Sequence, residues 1–193
     1  MNITNINNYT IRDWNEIFTL QTKINEKFED TYKEKCKNFD ISYYKDQEFF
    51  KHYCWCITEE LCESLEALED VKDDHLKEEL IDALNFTIQL YVLYGWNYNK
   101  LKDIKIDDTS NFNIKELILK VIYQLGMTAN CLKNRIWRES QYLVDLYIFE
   151  DRFKNIWKYM IEIFYNLNIS DMEIRKLWDL KYQVNLFRIE SKY

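Results

Sequence analysis

Between Phe49 and Leu68 the apolar residues recur at the spacing of one helical face. Phe50, Cys54, Ile57, Leu61, Leu65 and Leu68 form a stripe at about 100° per residue, and Phe49, Tyr53, Cys56 and Ala67 widen it to one side. This predicts a helix from about Asp46 to Asp70. A second such pattern predicts a helix from about Asp74 to Tyr94, with Glu79 and Asp82 on a stripe shared with Phe86, Leu90 and Leu93. Past Asp82 this segment is apolar on nearly every side, and Gly95 can take the left-handed cap that ends it.

The remaining elements are read from their starts. Thr10 followed by Asp13 resembles a capping box, from which "IRDWNEIFTLQTKINEKFEDTYKEKCK" predicts a first helix. Asn113 with Glu116 opens another helix after a polar connection, a further one spans about Glu139 to Leu167, and Ser170 with Glu173 caps the last, which reaches the neighbourhood of Arg188. About six helices and no strand make the expected fold an all-α helical bundle, and nothing divides residues 1–193 into two domains.

Composition strengthens this picture. Two glycines and no proline in 193 residues leave almost nothing that breaks helices or forms tight turns. The formal charge of −7 argues against a general nucleic-acid binder, which needs a basic face to displace counterions. Five cysteines without a CxxC pair read as reduced structural thiols. The N-terminus lacks the pattern of a signal peptide, and the longest apolar run is shorter than the roughly 20 residues of a membrane span, so a cytoplasmic protein is expected.

The chemistry sits in "ITEELCESLEALEDVKDDHLKEELIDALNF". Glu60 and Glu63 lie on the side extension of the first stripe, whereas Glu59, Glu66 and Glu69 fall elsewhere on the wheel; Glu79 and Asp82 lie on an inward stripe of the next helix. The short connection makes the two helices a hairpin in which Glu63 and Glu79 stand at similar heights from the turn. One such pair alone is more often a solvated face. Two pairs at matched heights would repel and take up protons unless compensated, and a hard divalent cation with oxygen ligands compensates them. Mg²⁺ fits best, because it is commonly shared between a few carboxylates and a substrate's phosphates. His52 and His75 belong to no such pattern and read as surface residues.

Two further blocks complete the set. In "LQTKIN", Gln21 and Asn25 share a helix face and offer amide donors and acceptors to a pyrimidine edge. In "KYQVNLFRIESKY", Lys181, Asn185 and Arg188 fall within about 60° on a helical wheel, a strip suited to phosphate oxygens. Lys133, Arg135 and Arg138 form a second basic cluster that assists or is merely exposed.

ExxE followed by ExxD on the next helix resembles the all-α nucleoside triphosphate pyrophosphatases. The glutamine/asparagine block and the C-terminal block are similar to those of the dimeric dUTPases, and together these blocks reach from Leu20 to Tyr193. The resemblance implies hydrolysis of dUTP to dUMP and pyrophosphate, with Glu60, Glu63, Glu79 and Asp82 holding Mg²⁺ and Glu60 also orienting or deprotonating the attacking water. It implies that Gln21 and Asn25 face the base, that Lys181, Asn185 and Arg188 hold phosphates and sugar, and that the chain forms a homodimer. A dCTP or broader pyrophosphatase of the same fold is the nearest alternative; a helical binding module without turnover is the alternative of another class.

Overall fold

The computed structural model describes residues 12–27, 38–70, 73–107, 112–132 and 146–191, and among them finds six α-helices and no strand. They are α1 (Trp14–Asn25), α2 (Tyr44–Glu69), α3 (Asp73–Leu93), α4 (Ile114–Leu132), α5 (Leu146–Asn166) and α6 (Asp171–Glu190), with a single 3₁₀ turn at Tyr98–Lys100. The all-α expectation holds.

The caps explain where the helices stop. α1 starts later than expected: its N-cap is Asp13, whose carboxylate accepts from Glu16 N at 2.9 Å while Glu16 reaches back to Asp13 N at 3.0 Å. Thr10 lies outside the described residues. The helix also ends at Asn25 instead of near Lys37, since Glu26 and Lys27 already form a turn. Gly95, at φ 81°, closes α3 as expected, with Gly95 N donating to Val92 O and Trp96 N to Tyr91 O. Asn168, at φ 58°, closes α5 with the same pair of bonds, a role asparagine tolerates better than most residues. Ser170 caps α6 by accepting from Glu173 N. The expected start of α5 near Glu139 and the cluster Lys133, Arg135 and Arg138 lie outside the described residues.

Packing centres on α3, which is buried on nearly all sides, as its all-round apolar sequence requires. α2 lies along it as a hairpin partner, α4 pairs with α5, α2 joins the two pairs, and α1 and α6 pack against α3. Tyr91 is the hub of an aromatic core, with Phe153 at 4.3 Å between ring centroids and Phe18, Trp96 and Trp157 within 6.5 Å. Its hydroxyl donates to Phe153 O at 2.7 Å and accepts from Trp157 N at 2.9 Å, the two groups that an α-helix ordinarily joins to each other. This ties α3 to α5 through α5's own backbone.

α1 and α6 run side by side in the same direction. Arg12 pairs with Asp179 at 2.5 Å, Trp14 Nε1 donates to Asp171 at 2.7 Å, and Lys27 pairs with Glu190 at 3.3 Å at the other end. The guanidinium of Arg175 bonds both Asp171 and the carbonyl of Arg12. The block holding Gln21 and Asn25 is thereby set beside the block holding Lys181, Asn185 and Arg188.

Candidate active site

The α2–α3 hairpin brings one oxygen each of Glu60, Glu79 and Asp82 within 4.8 Å of one another. Glu79 is buried at 7% exposure, and Glu60 and Asp82 are half-buried. Glu63, the fourth expected carboxylate, is exposed and stands outside this group. It lies about 60° around the helix from Glu60, while Ser64, the next residue, is buried. Its charge is still felt by both Glu60 and Glu79.

Three acids this close cannot all remain ionised by themselves. Burial, then a hydrogen bond shared with Glu79, then the charges of Asp82, Glu79 and Glu63 push the Glu60 carboxyl up to about 8. Burial also raises Glu79, against the pull of the Glu60 hydrogen bond and of His75, whose Nδ1 lies 3.1 Å from Glu79 Oε1. Burial raises Asp82 as well, opposed by Lys181, whose Nζ lies 2.5 Å from Asp82 Oδ2, and by Arg188. The other oxygen, Asp82 Oδ1, is buried with no partner. An all-oxygen donor set with surplus negative charge and an unsatisfied buried oxygen fits a hard divalent cation.

The other expected residues lie on α1 and α6, the two helices that pack against α3. Gln21 and Asn25 are each 2% exposed, and Gln21 Nε2 donates to Asn25 Oδ1 at 3.2 Å. Gln21 Oε1 and Asn25 Nδ2 are left buried and unpartnered, one acceptor and one donor. On α6, Lys181 reaches across to Asp82, Asn185 is half-buried and Arg188 is exposed, close enough to stabilise the Asp82 charge. Sequence reasoning missed Asp179, a buried acid that locks α6 to Arg12, and the contact of His75 with Glu79. The four-residue spacing from His75 to Glu79 was the available signal for the second.

The family model described as dUTPase matches residues 13–193 of the chain. The chain belongs to the dUTPase family. No curated protein and no solved structure matches it. As a dUTPase it is a nucleoside triphosphate pyrophosphatase that hydrolyses dUTP to dUMP and pyrophosphate, and the family is generally dependent on a divalent metal. Among the described residues no helix is long and apolar enough to cross a membrane.

Proposed function

We propose that Glu60, Glu79 and Asp82 hold Mg²⁺, with Glu63 contributing charge from the rim, and that the nucleotide lies between this group and α6. The observation that carries the reading is the convergence of three carboxylates, one with an unpaired buried oxygen, opposite the cations of α6. A divalent cation among these oxygens supplies the charge that ionises the set, neutralises the triphosphate and makes a nearby water more acidic.

The chain's own groups do the rest. Glu60, on α2 and half-buried, orients the attacking water and takes its proton. Lys181 and Arg188 give charge-assisted hydrogen bonds to phosphate oxygens, Arg188 in a bidentate manner, and Asn185 donates beside them. Gln21 and Asn25 take the uracil edge with the acceptor and donor that the fold leaves unpaired. Positioning and electrostatics carry most of such a hydrolysis. We further propose one domain over residues 1–193, a cytoplasmic homodimer, and a free nucleotide, not nucleic acid, as substrate.

The test is a panel of dUTP, dCTP and dTTP, with pyrophosphate release measured in Mg²⁺ and in EDTA. Turnover of dUTP with the highest kcat/KM, abolished by EDTA, is expected. Equal values for dUTP and dCTP would favour the broader pyrophosphatase, and turnover unaffected by EDTA would remove the metal centre.

A further inference from the structure

Among the described residues, two basic side chains touch the acid triad. One is His75, on the exposed flank of Glu79. The other is Lys181, and its situation is different. It comes from α6, 99 residues away in sequence, its side chain is 15% exposed, and its ammonium meets an Asp82 carboxylate that is 18% exposed. Asp82 uses one oxygen on this ammonium and leaves the other buried and bare. A carboxylate gripped on one side and bare on the other is held in place without being fully satisfied.

A lysine suits such temporary duty. Its charge is a compact point on a flexible four-carbon stem, so the ammonium can swing several ångströms without any movement of its helix. Asn185 and Arg188 stand on the same face of α6, so a phosphate held there would give the ammonium a second anionic neighbour. A divalent cation entering the triad meets the ammonium as a like charge beside the same carboxylate, and the two repel.

We propose that Lys181 is a placeholder cation: it keeps Asp82 aimed into the triad while no metal is bound, competes with the first divalent cation for that carboxylate, and transfers its ammonium to a substrate phosphate when nucleotide arrives. This rests on the reading of Glu60, Glu79 and Asp82 as the cation's ligands. The exchange couples metal and nucleotide. Without nucleotide the lysine opposes metal binding; with nucleotide it is drawn to the phosphates and the opposition disappears. By linkage, each ligand then strengthens the other's binding.

The experiment measures Mn²⁺ binding, by the free-ion paramagnetic resonance signal, to wild type, Lys181→Met and Lys181→Arg, each checked for helicity by circular dichroism. In the nucleotide-free proteins, Lys181→Met is expected to bind Mn²⁺ at least about fivefold more tightly than wild type, while Lys181→Arg, which keeps the charge, stays near wild type. With the non-hydrolysable α,β-imido analogue of dUTP the order is expected to reverse, wild type binding Mn²⁺ more tightly than Lys181→Met. Equal or weaker nucleotide-free binding by Lys181→Met overturns the competition while leaving the metal centre standing. A tighter Lys181→Met in both conditions overturns the transfer to phosphate. Absence of Mn²⁺ binding by all three proteins overturns the metal centre and the exchange together.

Discussion

Replacing Glu60 by glutamine should make the metal-free protein more stable in a way that depends on pH. In the folded chain the Glu60 carboxyl titrates at about 8, against an ordinary value of 4.5, chiefly because it is partly buried. The folded state therefore holds a proton that the unfolded chain has already released, and stability falls as pH rises from about 4.5, reaching its lowest plateau above about 8. A carboxyl moved this far would destabilise by at most about 5 kcal/mol once ionised. Glu60 is only half-buried, so screening by water reduces the effect to about 1–2 kcal/mol. For a chain of this size that corresponds to about 2–8 °C in Tm.

Glutamine keeps the shape of the protonated acid and cannot ionise. Thermal melts in EDTA from pH 4.5 to 9 should show Glu60→Gln indistinguishable from wild type at the acid end and several degrees more stable at the alkaline end. Saturating Mg²⁺ should narrow or invert the gap, because a ligand that binds the folded state raises its Tm and the variant has lost a ligand oxygen. The same variant should lose hydrolysis. A stability difference that is constant with pH, or a variant that melts lower than wild type at pH 8.5, would refute the claim that these carboxyls strain the metal-free fold.

Tyr91→Phe should destabilise the protein by about 1–2 kcal/mol, because it removes the hydroxyl bonded to both Phe153 O and Trp157 N in a fully buried place; an unchanged Tm would contradict this. Arg188→Ala should raise KM for dUTP at nearly unchanged Tm, since the side chain is exposed and its charge reaches Asp82; unchanged KM and kcat would mark the α6 strip as a solvated face.

The parts legible from sequence were those fixed by local chemistry. Scarce glycine and absent proline gave helices, Gly95 and Ser170 gave two of their ends, and the stripes through Leu61 and Leu90 gave the faces that pack. The acid pairs on adjoining stripes were enough to foresee that Glu60, Glu79 and Asp82 approach one another, because a hairpin of helices leaves little freedom in register. What failed depended on a neighbour. A helical wheel locates an apolar arc, but which edge of the arc is covered depends on the helix that lands on it: Glu60 meets Glu79 of α3 and Ser64 is buried, while Glu63 is left in water. Asp13 and Glu16 captured the start of α1 because their reciprocal bonds close the first turn, a competition that Thr10 could not reveal alone. The Lys181–Asp82 pair spans α6 and α3, so no local pattern announces it.

Base choice shows the same limit and leads to a prediction. Gln21 and Asn25 are buried together, and the hydrogen bond from Gln21 Nε2 to Asn25 Oδ1 couples their orientations. Turning one amide over alone would set donor against donor or acceptor against acceptor, so the two turn together or not at all. In the present orientation the free atoms are the acceptor Gln21 Oε1 and the donor Asn25 Nδ2, which match the N3–H and an adjoining carbonyl of uracil. Cytosine in the same pose presents an acceptor at N3 and an amino group beside it, and so requires the turned-over pair. Asn25→Asp removes the donor and leaves acceptors only at position 25. Uracil then sets a carbonyl against a carboxylate oxygen, while the cytosine amino group gains a partner. An unpaired buried polar atom costs about 1–3 kcal/mol, so the ratio of kcat/KM for dUTP over dCTP should fall by about tenfold or more in Asn25→Asp. Steady-state kinetics on both nucleotides measure that ratio, and a value unchanged from wild type would release Asn25 from contact with the base.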